Sequence, residues 1–146
     1  MPVETIRWVG GVGGHIEIVD QTLLPTELRY VECRALEDIR GAIRALRVRG
    51  APAIGIAGAM GLVLGLQRSQ ARSFDELWRD LQGAKARLAS SRPTAVNLFW
   101  ALERMERTAR DNRGLPLDEL RERLLKEALL ILEEDRQTCR AIGRHG

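Results

Sequence analysis

The chain changes its hydrophobic period once, near Cys33. Before that point, apolar and polar residues alternate in short runs. Glu4 to Trp8, His15 to Val19 and Glu27 to Val31 carry β-branched and aromatic residues separated by turn formers, which predicts a small antiparallel sheet over residues 1–33. Beyond Cys33 the spacing is helical through residues 34–146, and about five helices are expected. Leu36, Ile39, Ile43 and Leu46 mark the apolar face of the first. Gly50 can end that helix and Pro52 can start the next, because proline is tolerated in a first turn.

The second predicted helix, about Pro52 to Gln67, is apolar all round, as a helix covered by neighbours on every side must be. Gly55, Gly58, Gly61 and Gly65 share one side of it. Each costs about 1 kcal/mol in helix propensity relative to alanine, so the set requires a compensating reason, most simply close backbone approach by another element. Ser73 and Glu76 have capping-box spacing and start a third helix, whose buried stripe is Phe74, Leu77, Trp78, Leu81 and Leu88. Pro93 interrupts the pattern and Thr94 can cap a fourth helix, with Val96, Phe99, Leu102, Met105 and Ala109 as its apolar face. A fifth begins after Pro116, with Leu117, Leu120, Leu124, Ala128, Ile131 and Ile142 inward. Arg140 to Gly146 carries no helix stop, which leads us to expect that the chain is a piece of something longer. The fold class is therefore α+β: a small sheet followed by a helical bundle.

Composition limits the function classes. With 45% hydrophobic and 29% charged residues, the 146-residue chain can bury a core of its own. The net charge of +3 is a mild basic bias, and Arg104, Arg107 and Arg110 are interleaved with Glu103, Glu106 and Asp111. That pattern reads as a solvated, self-paired face and not as a nucleic-acid footprint. The longest non-polar run, Ala51 to Leu66, is too short and too rich in glycine for a membrane span. No signal-peptide pattern opens the chain, so a cytoplasmic protein with free thiols is expected. Cys33 and Cys139 are far apart, and His15 and His145 are isolated in sequence. No metal-ligand spacing occurs, and both cysteines read as inert buried thiols.

Candidate chemistry is sparse. Gly10-Gly11-Val12-Gly13-Gly14 lacks the third glycine of a dinucleotide loop and is followed by a strand pattern, so it reads as a mobile hairpin loop. Glu133-Glu134-Asp135 reads as solvent contacts on a long helix. Arg49 and Arg92 differ from the other arginines, because each stands directly before a helix start, Gly50-Ala51-Pro52 and Pro93-Thr94. The free N–H groups and partial positive charge of a helix's first turn favour an anion, and a guanidinium fork beside them can grip a phosphate. On spacing alone, the more ordinary role for such arginines, binding helix C-terminal carbonyls or surface acids, stands ahead of the phosphate reading. No serine, histidine and carboxylate set is present, and no catalytic constellation is found within the chain.

The segments Val48-Arg49-Gly50-Ala51-Pro52-Ala53-Ile54-Gly55-Ile56-Ala57 and Ser91-Arg92-Pro93-Thr94-Ala95-Val96-Asn97-Leu98-Phe99-Trp100-Ala101 together resemble the methylthioribose-1-phosphate isomerase family of methionine salvage. Asp20-Gln21-Thr22-Leu23-Leu24-Pro25 and Thr5-Ile6-Arg7-Trp8 fit in the same order. The resemblance covers the N-terminal part of that family's length. It implies an aldose-to-ketose isomerisation of 5-methylthioribose 1-phosphate without metal or organic cofactor, with Arg49, Gly50, Ala51 and Arg92 binding substrate. It also implies that the catalytic cysteine and aspartate lie in a following Rossmann-like domain absent here, that Cys139 is not that cysteine, and that these 146 residues alone are inactive. A homodimer formed mainly through the absent domain is expected. Two other readings share the superfamily: an assembly or regulatory protein related to translation initiation factor 2B subunits, and a ribose-1,5-bisphosphate isomerase.

Overall fold

A computed structural model describes residues 6–11, 13–19, 30–44, 51–67, 69–91 and 96–145. Three strands form one antiparallel sheet in the order β1 (Ile6–Val9), β2 (His15–Val19), β3 (Tyr30–Cys33). Ile6 pairs with Ile18 and Trp8 with Ile16, while Ile16 pairs with Cys33 and Ile18 with Val31. Alternation thus sends Ile6, Ile16, Ile18 and Cys33 into the core and leaves Arg7, Glu17 and Glu32 on the outer face. The third strand runs on to Cys33, two residues past the expected end at Val31; Glu27 to Arg29 lie outside the described residues. Cys33 is buried, as expected; the side chain of Cys139 lies outside the described residues.

The β1–β2 hairpin contains the glycine loop, and its described residues are tied down. The Trp8 indole donates to the Gly11 carbonyl (2.9 Å), the Gly14 amide donates to the same carbonyl (2.9 Å), and the Gln67 side-chain amide donates to the Gly14 carbonyl (2.9 Å). The expected hairpin forms, with these hydrogen bonds among its described residues. Gly10 has φ of 95°, a conformation that disfavours any side chain there.

Five helices follow: α1 (Leu36–Arg44), α2 (Ala51–Gln67), α3 (Phe74–Ser91), α4 (Val96–Asp111) and α5 (Leu117–His145). Asp38 accepts from the amides of Arg34 and Ala35 at the start of α1. At α3 the predicted cap forms, with the Glu76 amide donating to Ser73 Oγ (3.3 Å), but the Glu76 carboxylate accepts from the Arg72 amide instead of that of Ser73. Helix α2 is the central element and packs against α1, α3, α4, α5 and both β1 and β2. Residues Ile54 to Leu64 are all buried, which accounts for a helix with no polar face.

One predicted stripe is wrong. On α4, Leu102, Met105 and Ala109 are buried as expected, but Val96 and Phe99 are exposed, and Leu98 and Ala101 take the inward positions in the first turns. Fixing the helix by its C-terminal half puts Leu98 and Ala101 in line with Met105 at the 3.6-residue period, which rotates Val96 and Phe99 outward. The predicted inward residues of α5 hold at Leu120, Leu124, Ala128 and Ile131; the side chain of Ile142 lies outside the described residues. No described helix is long and apolar enough to cross a membrane.

Candidate anion-binding site

The glycine side of α2 decides where the helix starts lie. A Cβ on Gly55 would stand 3.0 Å from the Asn97 carbonyl oxygen, with Ala101 beyond, and one on Gly58 would stand 2.4 Å from Leu98. Gly61 and Gly65 instead face Ile39, Leu88 and Leu36, side chains of α1 and α3. Close backbone approach is therefore the reason for Gly55 alone. The other three make room for packed side chains.

Gly55 is four residues into α2, and Asn97 is the second residue of α4. At a rise of about 1.5 Å per residue, both helix starts lie within roughly one turn of this contact. The N-terminal ends of α2 and α4 are side by side, and the fork of free N–H groups at each belongs to one corner of the molecule.

The local charge differs there from every other described helix start. The first turns of α1, α3 and α5 carry Glu37 and Asp38, Asp75 and Glu76, and Asp118 and Glu119, which offset the positive end of the helix dipole. Neither α2 nor α4 has an acidic residue in its first turn. The two starts that meet are thus the two with no first-turn acid to offset their partial positive charge, an arrangement suited to an external anion. The missing acids can be read directly from the chain, although they entered none of the expectations above. The pairing of the two starts could be inferred only from Gly55.

Of the predicted site residues, Arg49, Gly50 and Arg92 lie outside the described residues, as does Thr94. Ala51 opens α2.

Two other polar clusters have structural explanations. His15, isolated in sequence, is brought between two carboxylates, with Nε2 3.1 Å from Glu32 and 3.5 Å from Glu17. Both carboxylates are already engaged: Arg7 binds Glu17 (Nε–Oε1 2.8 Å) and Arg34 binds Glu32 through two nitrogens (2.9 and 2.8 Å). The Arg7 guanidinium holds the Glu17 carboxyl below the usual range, and Arg34 does the same for Glu32. A cation at this trio, which is geometrically close enough to share one, would face two guanidinium groups.

The second cluster clamps α4 to α5. Arg104 donates through Nε to the buried Glu127 (2.6 Å) and through both terminal nitrogens to Glu134 (2.8 and 2.6 Å), and its guanidinium lies 5.5 Å from the Trp100 ring centroid. Arg104 is held above its ordinary pKa, chiefly by Glu134, whose own carboxyl is lowered in return. Glu134, expected to be a solvent contact, is therefore an interhelical partner. The self-paired reading of the arginine-rich face holds at Arg104 and at Arg110, which lies 3.8 Å from Glu106.

A model of the initiation factor 2 subunit family matches residues 47–146, a span that contains both helix starts, and the chain belongs to that family. Among curated proteins it is 52% identical over 133 residues to methylthioribose-1-phosphate isomerase of Symbiobacterium thermophilum, covering 91% of this chain and 37% of that protein. It is 50% identical over 145 residues to 5-deoxyribose 1-phosphate isomerase of Moorella thermoacetica, covering 99% of this chain and 40% of the relative. Among solved structures, 5-methylthioribose 1-phosphate isomerase from Pyrococcus horikoshii superposes with a TM-score of 0.82 at 34% identity, over 91% of this chain and 36% of that one. Translation initiation factor eIF-2B subunit delta from A. fulgidus superposes with a TM-score of 0.81 at 41% identity, over 92% and 38%. The chain spans about two fifths of the length of these relatives.

Proposed function

We propose that the whole protein is an aldose-ketose isomerase acting on a 5-deoxyribose 1-phosphate that carries an apolar C5 substituent, with methylthioribose 1-phosphate as the substrate. The observation that carries this reading is the pairing of two acid-free helix starts, α2 and α4, in a chain whose curated relatives bear isomerase names. Such a substrate is an acetal at C1, so its ring cannot open by losing a hydroxyl proton. Isomerisation requires that the ring C1–O bond break with a proton delivered to the freed C4 oxygen, that hydrogen move from C2 to C1, and that the C2 hydroxyl give up its proton, leaving a ketone at C2 and the phosphate on C1. These 146 residues would supply the phosphate anchor: backbone amides at the two helix starts, with Arg49 and Arg92 as charged arms and Gly50 and Ala51 permitting close approach. Each charge-assisted hydrogen bond contributes about 1.5–3 kcal/mol, enough for a few of them to hold the phosphate while the sugar rearranges. The proton-transfer groups belong to the remaining polypeptide, and no cofactor is required.

A second reading, a regulatory subunit without turnover, is favoured by the equally close superposition on an initiation factor 2B subunit. One substrate panel separates the two. The extended protein is expected to convert methylthioribose 1-phosphate to its ketose, and to turn over ribose 1,5-bisphosphate at least about a hundredfold less efficiently, since a charged phosphate would stand where that substrate has an uncharged methylthio group. Residues 1–146 alone are expected to give no turnover. Absence of turnover of any sugar 1-phosphate by the extended protein would favour the regulatory reading, and activity of the short chain would overturn the division of labour.

A further inference from the structure

A cleft of about 770 Å³ opens at the far end of α2, between the first turn of α1, the 69–71 connection and the outer face of α3. That volume lies within the roughly 300–1,000 Å³ of small-molecule sites. Gly65, which lines it, follows Ala51 by 14 residues of helix, so at about 1.5 Å per residue the cleft stands roughly 20 Å from the corner described above. Gly83 faces the cleft from the middle of α3, where a Cβ would meet no described atom within 4 Å. Packing does not require glycine there. Charge in the cleft is also unbalanced. Glu37 is paired with Arg40 (3.1 Å) and stands 3.9 Å from Arg87. Glu76 and Asp80 accept from uncharged donors, the Arg72 amide and the Ser69 hydroxyl, and among the described residues neither has a cationic partner, nor has Arg79 an acidic one. Charges of both signs are thus left facing one cleft, at the i, i+3 and i+4 positions that put them on the same side of α3 as Gly83. The floor beside them is apolar, made by Leu36, Leu64 and Ala84.

We infer that this cleft binds a zwitterion of the amino-acid kind with an apolar side chain. The ligand's carboxylate meets the Arg79 guanidinium, whose fork matches it. Its ammonium sits at Glu76 and Asp80, whose carboxylates keep unused acceptor sites beside the Arg72 amide and the Ser69 hydroxyl. Its side chain passes over Gly83, where no Cβ intrudes, to the floor of Leu36 and Ala84. A ligand of one sign fits worse. An anion would face two carboxylates without cationic partners, and a cation would face Arg79. The site is separate from the anion-binding corner and does not depend on the isomerase reading, so the two can fail separately.

The test is titration of the isotopically labelled chain with leucine, valine and phenylalanine, followed by backbone amide shifts. Saturating shifts at Ala71, Gly83 and Ala84 are expected with at least one of them. The N-acetyl derivative of the amino acid that binds best lacks the ammonium, and its amide derivative lacks the carboxylate. Each is expected to bind at least about tenfold more weakly, having lost one charge-assisted contact. Arg79→Gln is expected to weaken the amino acid by a similar factor and to leave the affinity of the amide derivative unchanged. Gly83→Leu, whose side chain would fill the cleft, is expected to abolish the shifts without lowering Tm, since leucine is the better helix former. Absence of saturating shifts with all three amino acids overturns the inference. So does a derivative that binds as tightly as its parent, which would mean that one charge alone is recognised. Undiminished binding in Gly83→Leu would place the ligand elsewhere and overturn it as well.

Discussion

At the scale of single residues, the glycines of this chain separate into those held by packing and those held by nothing. Gly55 stands against a carbonyl oxygen of another helix, a neighbour that cannot turn aside. Gly83, inside α3, and Gly41, inside α1, have no atom within 4 Å of where a Cβ would be. Alanine at Gly83 is therefore expected to stabilise the protein by about 0.5–1 kcal/mol through helix propensity alone. Alanine at Gly55 gains the same propensity but meets an overpacking cost of about 1–3 kcal/mol, for a net loss of the order of 1 kcal/mol. Urea denaturation of the two variants checks both signs. A stabilised Gly55→Ala protein would mean that α2 and α4 can separate without penalty, and the corner they form would lose its rigidity.

At the scale of elements, charged groups link neighbouring helices at positions where stability depends on pH. Glu106 on α4 accepts from Gln82 (3.1 Å) and from Lys85 on α3. Burial pushes its carboxyl up, but the hydrogen bonds from Lys85 and Gln82, aided by the charges of Lys85 and Arg110, outweigh burial and hold it below 4.5. Glu134 on α5 is lowered by Arg104, and Glu17 on β2 by Arg7. A carboxylate whose folded pKa is depressed adds stability that is fully present above its unfolded value and is lost as pH falls through the folded one. Urea midpoints are thus expected to be level above about pH 5 and to fall below about pH 4.5. Glu106→Gln should be less stable at pH 7 and show a shallower acid decline; an unchanged acid profile would mean that this link contributes nothing to folding.

The elements were also the most legible part of the sequence. A switch of period from two to 3.6 at Cys33, the Ser73 cap and the prolines located three strands and five helices, because each signal is local. The phase of α4 was not legible. Val96 and Phe99 are as hydrophobic as Leu98 and Ala101, and nothing within the helix says which pair faces α2. Nor could spacing reveal that His15 lies between Glu17 and Glu32, a contact made by strand register. The candidate site was half legible. Two arginines before two helix starts, and the family motifs around them, were visible; that the starts are neighbours was not, because it depends on one backbone contact between Gly55 and Asn97.

At the scale of the whole molecule, this chain forms a sheet and a helical bundle around α2 and brings two helix starts without first-turn acids to one corner, with exposed apolar side chains beside them. An enzyme that rearranges a sugar while its C1 phosphate stays attached needs such an anchor on one part and proton-transfer groups on another. On the proposed function Arg49 and Arg92 complete the anchor, and steady-state kinetics of the extended protein with methylthioribose 1-phosphate test this role. Arg49→Ala and Arg92→Ala are each expected to lower kcat/KM by at least about tenfold, or about 1.4 kcal/mol of transition-state stabilisation, with the fold retained by circular dichroism. Wild-type kcat/KM in both variants would contradict the account.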